Sequence, residues 1–527
     1  MTNSRVALLI GAVALLGGCG GGGGGTTTTP PTTAPPTNPP AIAYTAGVYP
    51  TSSTFAAKCA APRTGVDPAT GRAYPDVAGS LLAEKHFLRS WTNELYLWFN
   101  EVADLDPASV AAVSDYFKLL KTTATTSTGA AKDRFHFTYD SAAYYQLSQS
   151  GTSLGYGISW AIVQSSPPRR VVVEYVQPGT QAATLGIDRG AELLTIDGVD
   201  VVNNNTQAGI DTINASLFSP ASGSSHQFGI RDRSGATRSL TLNAASVSFS
   251  AVPVTRVLTT ASGNLGYLLF NDHTRAAEQE LITAINTLKN ANVQDLVLDL
   301  RYNGGGFLAI ASELAYMIAG NARTAGKTFE RTQFNSKYPT TNPVTGAALD
   351  PLPFSSTTVF ATTTTSLPTL NLGRVYVLTS DGTCSASESV INSLRGIGVS
   401  VYQIGGTTCG KPYGFYPQDN CGTTYFSIQF KGVNALGFGD YPDGFSATRT
   451  TGDAQANLPG CAASEDYAHD LGDPLEERLR VAMVYRQSNN TQCTGTGPLL
   501  EARTPVEGGL PLKAPDEPWR HNRILGR

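Results

Sequence analysis

The apolar residues of this chain change their spacing twice along its length. Between Leu81 and Phe99 they recur at about every third or fourth position, which is the spacing of an amphipathic helix. This apolar stripe consists of Phe87, Leu88, Trp91, Leu95 and Trp98. An aromatic helix face belongs to a core more often than to a binding surface. We therefore predict a helical region over residues 51–140 and assign no chemistry to it.

Residues 141–253 carry the pattern of a small β domain. The β-rich runs Ser159–Val163 and Val171–Val176 are separated by Gly and Pro, and Leu193–Val202 predicts two strands that turn at Asp197-Gly198. Gln181–Leu185 has room for a short helix. A generic β domain is the alternative to any more specific interpretation of this region.

From residue 254 to 487 strand and helix patterns alternate. The run Asp295–Leu300 is apolar enough to be a strand buried on both faces, and Ala276–Asn290 before it has helical spacing. Further predicted elements are the strands Gly266–Phe270, Val375–Thr379 and Val399–Ile404 and the helices Ala309–Ala319 and Ser387–Gly396. This order predicts a layered sheet with crossover helices. The chain as a whole is expected to be a multidomain α+β protein.

The first residues have the features of an export signal. A short apolar run follows Arg5, and it is too short to span a bilayer. Leu16-Gly17-Gly18-Cys19 resembles the bacterial lipobox, which implies that residues 1–18 are removed and that Cys19 is lipidated. Gly20 in the next position resembles an outer-membrane address. A signal peptide with a chance cysteine is the alternative.

The residues after Cys19 suit a tether in the cell envelope. Residues 19–50 are rich in Gly, Thr and Pro and have no apolar periodicity, so we expect a linker. Anchored in this way, the protein would lie at the bacterial outer membrane and face the periplasm or the cell surface. The tail, residues 488–527, is rich in Gly, Pro and charge and receives no assignment.

Composition narrows the possible partners. The chain has 527 residues, 41% hydrophobic and 15% charged, with a formal net charge of −4. It contains no basic run that would follow a phosphate backbone, so nothing points to nucleic acid. The cysteines other than Cys19 are even in number, which suggests disulfides in an exported protein. They are Cys59, Cys384, Cys409, Cys421, Cys461 and Cys493, and their spacing does not suggest a metal site or select the pairs.

Two turns at the carboxyl ends of predicted buried strands carry candidate chemistry. One is DLRYNGGG, Asp299–Gly306, and the other is TSDGTCSASE, Thr379–Glu388. Sheets of this kind place their sites at such strand ends. The second turn presents Ser385 between a strand and a helix, where helix N–H groups can face a developing oxyanion.

A serine hydroxyl needs a base that removes its proton. Lys411 lies in GGTTCGKPYGF among Gly and apolar residues, and such surroundings desolvate an ammonium and favour the neutral amine. His273 is the rival base, because histidine is the usual partner of a catalytic serine.

In this order the motifs DLRYNGGG, CSASE and GGTTCGK resemble those of the carboxyl-terminal processing peptidases, also called tail-specific proteases. The resemblance covers about Leu81–Tyr485. It implies a protease core of the ClpP/crotonase-like type, with Ser385 and not Ser387 as nucleophile and Lys411 as base. It further implies oxyanion donors from the N–H groups of Ala386 and Gly305, and a supporting role for Glu388.

Residues 141–253 resemble a PDZ domain, since GYGI is followed by two strands and by PGTQAATLGIDRGAELLTIDG. In that family the Gly-x-Gly-apolar loop and the strand after it bind the carboxyl-terminal segment of a peptide. The resemblance therefore implies peptide binding by Gly155, Tyr156, Gly157 and Ile158.

The third catalytic member departs from the family pattern. Many relatives have Gln where this chain has Phe415, and others have Asp where this chain has Gly396. Glu388 and Gln418 are candidates for the orienting residue, and a pair without a third member is the other possibility.

We therefore predict a serine endopeptidase that acts on envelope polypeptides and needs no cofactor or metal. The main alternative is a surface lipoprotein that binds peptides on the same fold without cleaving them. A hydrolase of small molecules fits less well, because the chain lacks the Gly-x-Ser-x-Gly elbow and such an enzyme would not need a PDZ domain.

Overall fold

The computed structural model describes residues 43–68, 70–150, 152–218, 220–448, 453–494, 509–512 and 523–524. The predicted signal peptide, the lipidation of Cys19 and most of the linker lie outside the described residues. All features below belong to one compact unit, Tyr44–Arg527. Within the described residues, no helix combines the length and the apolar character needed to cross a bilayer.

The first region contains helices and several short strands, and its longest helix lies where the apolar spacing predicts one. Ser80 caps the long helix, since its hydroxyl accepts a hydrogen bond from the Ala83 amide. The aromatic stripe is buried at Phe87, Leu88 and Trp91. The elements are β1 (Lys58–Cys59), β2 (Val66–Asp67), β3 (Arg72–Ala73), β4 (Val77–Ala78), α1 (Leu81–Leu95), α2 (Val113–Leu119), β5 (Phe137–Asp140) and α3 (Ser141–Ser150).

The middle region is a β domain with one longer helix. Its elements are β6 (Thr152–Gly155), β7 (Ile158–Gln164), β8 (Arg170–Val176), α4 (Gln181–Thr184), β9 (Glu192–Ile196), β10 (Val199–Asp200), α5 (Gln207–Phe218), β11 (Ser225–Arg231), β12 (Thr237–Asn243) and β13 (Ala245–Ser248). The main sheet has the order β12-β11-β9-β8-β7, and β10 pairs with β9 at the predicted Asp197-Gly198 turn. β7 therefore lies at an edge of this sheet.

The third region contains the alternating strands and helices. Its first half has β14 (Val254–Thr260), β15 (Gly263–Leu269), α6 (Ala277–Asn290), β16 (Asp295–Asp299), β17 (Gly306–Phe307), α7 (Leu308–Ala319), α8 (Asn321–Thr324), β18 (Thr328–Phe334) and β19 (Leu352–Pro353). Its second half has β20 (Arg374–Thr379), α9 (Ala386–Gly396), β21 (Ser400–Gly405), β22 (Tyr413–Gly414), β23 (Gln418–Asn420), β24 (Thr423–Phe426), β25 (Phe430–Val433), β26 (Gly460–Cys461) and α10 (Glu477–Gln487). A final short strand is β27 (Arg523–Ile524).

The central sheet has the order β14-β15-β16-β20-β21-β26, and its strands from β15 onward are parallel. Alternate residues of β16 face opposite layers, as strand geometry requires. Leu296 and Leu298 pack with α6, α7 and α9, whereas Val297 packs with α10. The predicted layered sheet with crossover helices and the mixed α+β class are both confirmed.

The predicted disulfides are confirmed, and the structure selects their partners. The pairs are Cys59–Cys421, Cys384–Cys409 and Cys461–Cys493. The first of these joins the helical region to the third region, and β5 does so again by pairing with β24.

Candidate active site

The two turns with candidate chemistry lie side by side. β16 and β20 are neighbours in the sheet, so the turns that follow them leave the same edge. The Cys384 amide donates to the Asn303 carbonyl at 3.1 Å, and the Thr383 hydroxyl donates to the Leu300 carbonyl at 2.8 Å. The parallel sheet thus brings together two motifs that lie about eighty residues apart in the sequence.

Ser385 has a backbone conformation that residues other than glycine rarely adopt. Its φ and ψ are 62° and −112°, and it directly precedes α9. Strain of this kind persists where the surroundings enforce it and is common at active sites. The Ser385 hydroxyl is fully buried and makes no hydrogen bond to any residue that the structure describes. It is therefore not committed to a structural contact.

Ser387, the other serine of the motif, has a structural contact. Its hydroxyl donates to the Asn303 carbonyl at 3.0 Å and so links α9 to the glycine turn. This difference supports Ser385 over Ser387 as the nucleophile.

Glu388 connects the nucleophile turn to the lysine loop. Its buried carboxylate accepts hydrogen bonds from the backbone N–H groups of Ser385 (2.9 Å), Lys411 (2.8 Å) and Gly410 (2.9 Å) and from the Thr408 hydroxyl (2.5 Å). The amides of Ser385 and Lys411 donate to the same oxygen, so they lie no further apart than the sum of those two distances. Burial raises the pKa of Glu388, and its hydrogen bonds oppose that rise. Three of these four partners are N–H groups, which can only donate, so they favour the ionised carboxylate.

Lys411 is fully buried against two aromatic rings. Its Nζ lies 4.3 Å from the centre of the Phe415 ring and 4.8 Å from that of Phe135. Aromatic faces attract a cation and also exclude water from it. Phe415, which replaces the glutamine of many relatives, is thus part of the lysine's surroundings.

The disulfide Cys384–Cys409 is a second link between the same two segments, since Cys384 directly precedes Ser385 and Cys409 lies two residues before Lys411. Sulfur atoms of this pair and a Glu388 oxygen lie within 4.8 Å of one another. Because the sulfurs are bonded to each other, they are not available as thiolate ligands for a metal in this form.

The predicted oxyanion donors differ in their availability. Ala386 is the first residue of α9, so its N–H has no partner within the helix. The Gly305 N–H donates to the Asn303 side chain at 2.9 Å. Gly305 and Gly306 have φ values of +107° and +134°, which strongly favour glycine.

His273 supports the glycine turn. Its amide donates to the Gly305 carbonyl at 3.0 Å, its carbonyl accepts from the Phe307 amide at 2.9 Å, and its Nδ1 lies 3.0 Å from the Asn303 side-chain oxygen. Burial lowers the pKa of His273 to about 3. Since the Ser385 hydroxyl makes no hydrogen bond to a described residue, neither His273 nor Lys411 is bonded to it in this structure.

The two candidates for a third catalytic member differ in whether they contact the segments of Ser385 and Lys411. Glu388 contacts the backbone of both Ser385 and Lys411, as described above. The Gln418 side chain donates to the carbonyl of Asp419, the next residue of its own strand β23. At Gly396 a Cβ would lie 2.9 Å from Asn434, so this position faces a neighbouring side chain. Of the two residues predicted for this role, Glu388 is the one that reaches the site.

The predicted peptide-binding loop joins β6 to β7. Gly157 has a φ of +75°, and a Cβ there would lie 2.5 Å from Thr180. The Tyr156 side chain is buried, and its hydroxyl donates to the Ser216 carbonyl at 2.6 Å. A ligand at Gly155–Ile158 would therefore meet backbone groups and the edge of β7 rather than the Tyr156 ring.

Sequence reasoning missed a buried charge network behind the glycine turn. Arg189, in the middle region, donates to the Tyr302 hydroxyl at 2.7 Å and pairs with Glu465 at 2.5 Å. The fully buried Arg301 guanidinium pairs with the carboxylates of Asp299 (2.9 Å), Glu465 (2.8 Å) and Glu476 (2.6 Å). Arg301 and Tyr302 belong to the DLRYNGGG motif, so two members of the network could be seen in the sequence. Their partners could not, because they are distant in the sequence.

The chain is similar to known processing proteases over part of its length. It is 31% identical over 168 residues to carboxyl-terminal-processing peptidase 2, chloroplastic, of Arabidopsis thaliana, which is 31% of this chain and 32% of that protein. It is 28% identical over 182 residues to the carboxyl-terminal-processing protease of Picosynechococcus sp., which is 32% of this chain and 39% of that protein. The chain thus spans about a third to two fifths of the length of these relatives.

The structure is similar to the solved structure of a putative S41 protease from Bacteroides fragilis. The TM-score is 0.56 at 21% identity, and the match covers 80% of this chain and 99% of that one. At this identity the likeness concerns the fold. Residues 264–414, which include the glycine turn, Ser385 and Lys411, match the family description "Peptidase family S41". This part of the chain is therefore similar to peptidase family S41.

Proposed function

We propose that this chain is a serine endopeptidase in which Ser385 is the nucleophile and Lys411 the base. The observation that carries the proposal is the bridge formed by Glu388. One carboxylate oxygen accepts the amides of both Ser385 and Lys411, and Ser385 has a strained backbone and an uncommitted hydroxyl. The match of residues 264–414 to peptidase family S41 agrees with this assignment.

The chemistry is an acyl transfer in two steps. The neutral Lys411 amine removes the proton as the Ser385 oxygen attacks the substrate carbonyl carbon, and the amide N–H of Ala386 stabilises the oxyanion. Lys411 then gives the proton to the leaving amine as the C–N bond breaks. A water molecule, activated by the same amine, releases the acyl group from Ser385.

Two contacts must form before this reaction can occur. The Ser385 hydroxyl has to come within hydrogen-bond reach of Lys411, and the Gly305 N–H has to leave the Asn303 side chain if it is to act as the second oxyanion donor. Catalytic hydrogen bonds often tighten only when substrate is bound.

The test is cleavage of fluorescein-labelled casein, which is unfolded, by three single variants. Ser385→Ala and Lys411→Ala should each abolish cleavage while the thermal unfolding midpoint stays near that of the wild type. Ser387→Ala, which removes a structural hydrogen bond, should retain most of the activity. Near wild-type activity of Lys411→Ala, together with loss of activity in His273→Ala, would assign the base to His273.

A peptide-binding protein without activity is the second candidate. It is favoured by the Gly305 amide, which is engaged by Asn303, and by Phe415 in place of glutamine. This candidate predicts that wild-type protein and Ser385→Ala bind casein equally and that neither cleaves it.

We further propose that the β6–β7 loop and the edge of β7 bind the carboxyl-terminal segment of polypeptide substrates. An edge strand can accept an extended peptide through main-chain hydrogen bonds. Gly157→Val places a side chain against Thr180 at a positive φ, so it should distort the loop. We expect a higher KM for casein with little change in kcat; an unchanged KM would refute this role.

We also propose that the protein acts in the bacterial envelope, anchored through Cys19. The three disulfides support an oxidising compartment. Replacement Cys19→Ser should move the protein from the membrane fraction to the soluble fraction of a bacterial host. Retention in the membrane fraction would refute the anchor.

A further inference from the structure

A short strand from the tail runs beside the glycine turn. β27 pairs in parallel with β17, with Gly306 opposite Arg523 and Phe307 opposite Ile524. β17 follows directly after Gly305, the predicted oxyanion donor. β27 also lies beside β22, which begins two residues after Lys411. This part of the tail therefore contacts both segments that frame the candidate site.

One edge of β17 pairs with His273, and the other edge can pair with a second strand. The first edge is used by His273, which bonds to the Gly305 carbonyl and the Phe307 amide. Neighbouring residues of a strand direct their peptide groups to opposite sides, so those of Gly306 face β27. With this register the Ile524 N–H lies opposite the Gly306 carbonyl, whereas the Arg523 N–H points away from β17.

Gly306 allows β17 to lie close to His273 on the edge opposite β27. A Cβ at this position would lie 2.6 Å from the His273 carbonyl oxygen, and the residue has a φ of +134°. On the other edge, the pairing of β17 with β27 is a main-chain contact of the kind that extended peptides make when they add to the edge of a sheet.

A second contact fixes the tail to the middle region. Leu512 is 2% exposed and packs in the core of that region. Its amide donates to the Ser165 carbonyl at 2.8 Å, just beyond the end of the edge strand β7. The Leu510 amide donates to the Asn205 side chain at 2.7 Å, and the buried Arg169 donates to the Leu510 carbonyl at 2.5 Å. Leu512 and Arg523 thus mark two separate points of attachment.

We propose that an extended polypeptide binds along the edge of β17 that faces away from His273. This chain's own Arg523–Ile524 segment occupies that edge in competition with substrate. The consequence for activity rests on the proposed function. Two features of the occupied form agree with a resting site: the Gly305 N–H is bonded to Asn303, and the Ser385 hydroxyl is hydrogen-bonded to no residue in the described ranges.

Proline substitutions test the register. Ile524→Pro removes the N–H that faces Gly306, while the matched control Arg523→Pro removes one that points away. One hydrogen bond corresponds to about a fivefold to tenfold change in occupancy. We therefore expect kcat/KM for casein to rise by about that factor in Ile524→Pro and to stay near the wild-type value in Arg523→Pro. Deletion of residues 513–527, which keeps the Leu512 anchor, should give at least the same rise.

A binding measurement separates this inference from the question of catalysis. In a Ser385→Ala background, a fluorescent peptide of residues 514–527 should bind the Ile524→Pro protein about fivefold to tenfold more tightly than the Arg523→Pro protein. Equal affinities would overturn the inference. If the affinities differ but no protein cleaves casein, the strand site stands and the proposed catalysis fails. If casein is cleaved in a Ser385-dependent way at the same rate by both proline variants, the catalysis stands and the inference fails.

Discussion

Removal of the Cys384–Cys409 disulfide separates its role in positioning from its role in stability. The bond joins residues 25 positions apart, and the chain-entropy relation gives about 3.5 kcal/mol for a loop of this length. In the double variant Cys384→Ser, Cys409→Ser, hydrogen bonds still link the two segments. They include those of Glu388 and the one from the Cys409 amide to the Thr383 carbonyl at 2.9 Å.

The Cys461–Cys493 disulfide provides a matched control. It joins residues 32 positions apart, so the same relation gives about 3.7 kcal/mol, but neither cysteine flanks Ser385 or Lys411. Both double variants should therefore lose about 3–4 kcal/mol of unfolding free energy in urea. Only removal of Cys384–Cys409 should lower kcat, by about tenfold to a hundredfold, because displacement of reacting groups by about 1 Å has effects of that size.

The assays are urea unfolding followed by tryptophan fluorescence and initial rates of casein cleavage at a temperature where both variants are folded. Unchanged kcat in the Cys384→Ser, Cys409→Ser variant would refute the positioning role. An equal loss in both double variants would show that the effect is one of general stability.

Three further predictions concern buried charged and titratable groups. Glu388→Gln should lower the unfolding free energy by about 3 kcal/mol and reduce kcat, because an amide side chain cannot accept from all four donors. Burial raises the pKa of the Glu313 carboxyl to about 9, so this group is protonated near pH 7. Glu313→Gln should therefore change the unfolding free energy by less than about 1 kcal/mol near pH 7. Similar effects of the two changes in urea titrations would contradict this. The pKa of His273 is lowered by burial to about 3, below the value of about 6.5 for an unfolded chain, so between these values the unfolded state binds the extra proton. Stability should fall with decreasing pH in that window, by up to about 1.4 kcal/mol per unit from this group, and His273→Gln should reduce the slope; an unchanged slope would refute the assignment. Arg301→Met leaves buried carboxylates without their counter-ion and should lower the unfolding free energy by about 3–5 kcal/mol, whereas a loss below about 1 kcal/mol would contradict the network.

Much of the fold could be predicted because the relevant signals are local. Apolar spacing placed a helix at Ala309–Ala319, and α7 spans Leu308–Ala319. It placed a buried strand at Asp295–Leu300, and β16 spans Asp295–Asp299. The candidate chemistry was also visible, because parallel strands end at one edge of a sheet and so bring their turns together.

Other features of the site depend on contacts between distant segments. Phe135 lies under Lys411 although 275 residues separate them, and no local pattern distinguishes this ring from other core aromatics. The even cysteine count indicated disulfides, but the pairs were decided by which loops the sheet brings together.

The sequence by itself determined the main alternating strands and helices of the central sheet, the two motif turns and the identity of Ser385 and Lys411 as candidates. The tertiary structure decided that Ser387 has a structural contact, that Glu388 bridges the candidate pair, and that β27 lies beside β17. The physical reason is that helix and strand patterns arise from spacing within a few residues, whereas a hydrogen-bond partner is set by the packing of the whole domain.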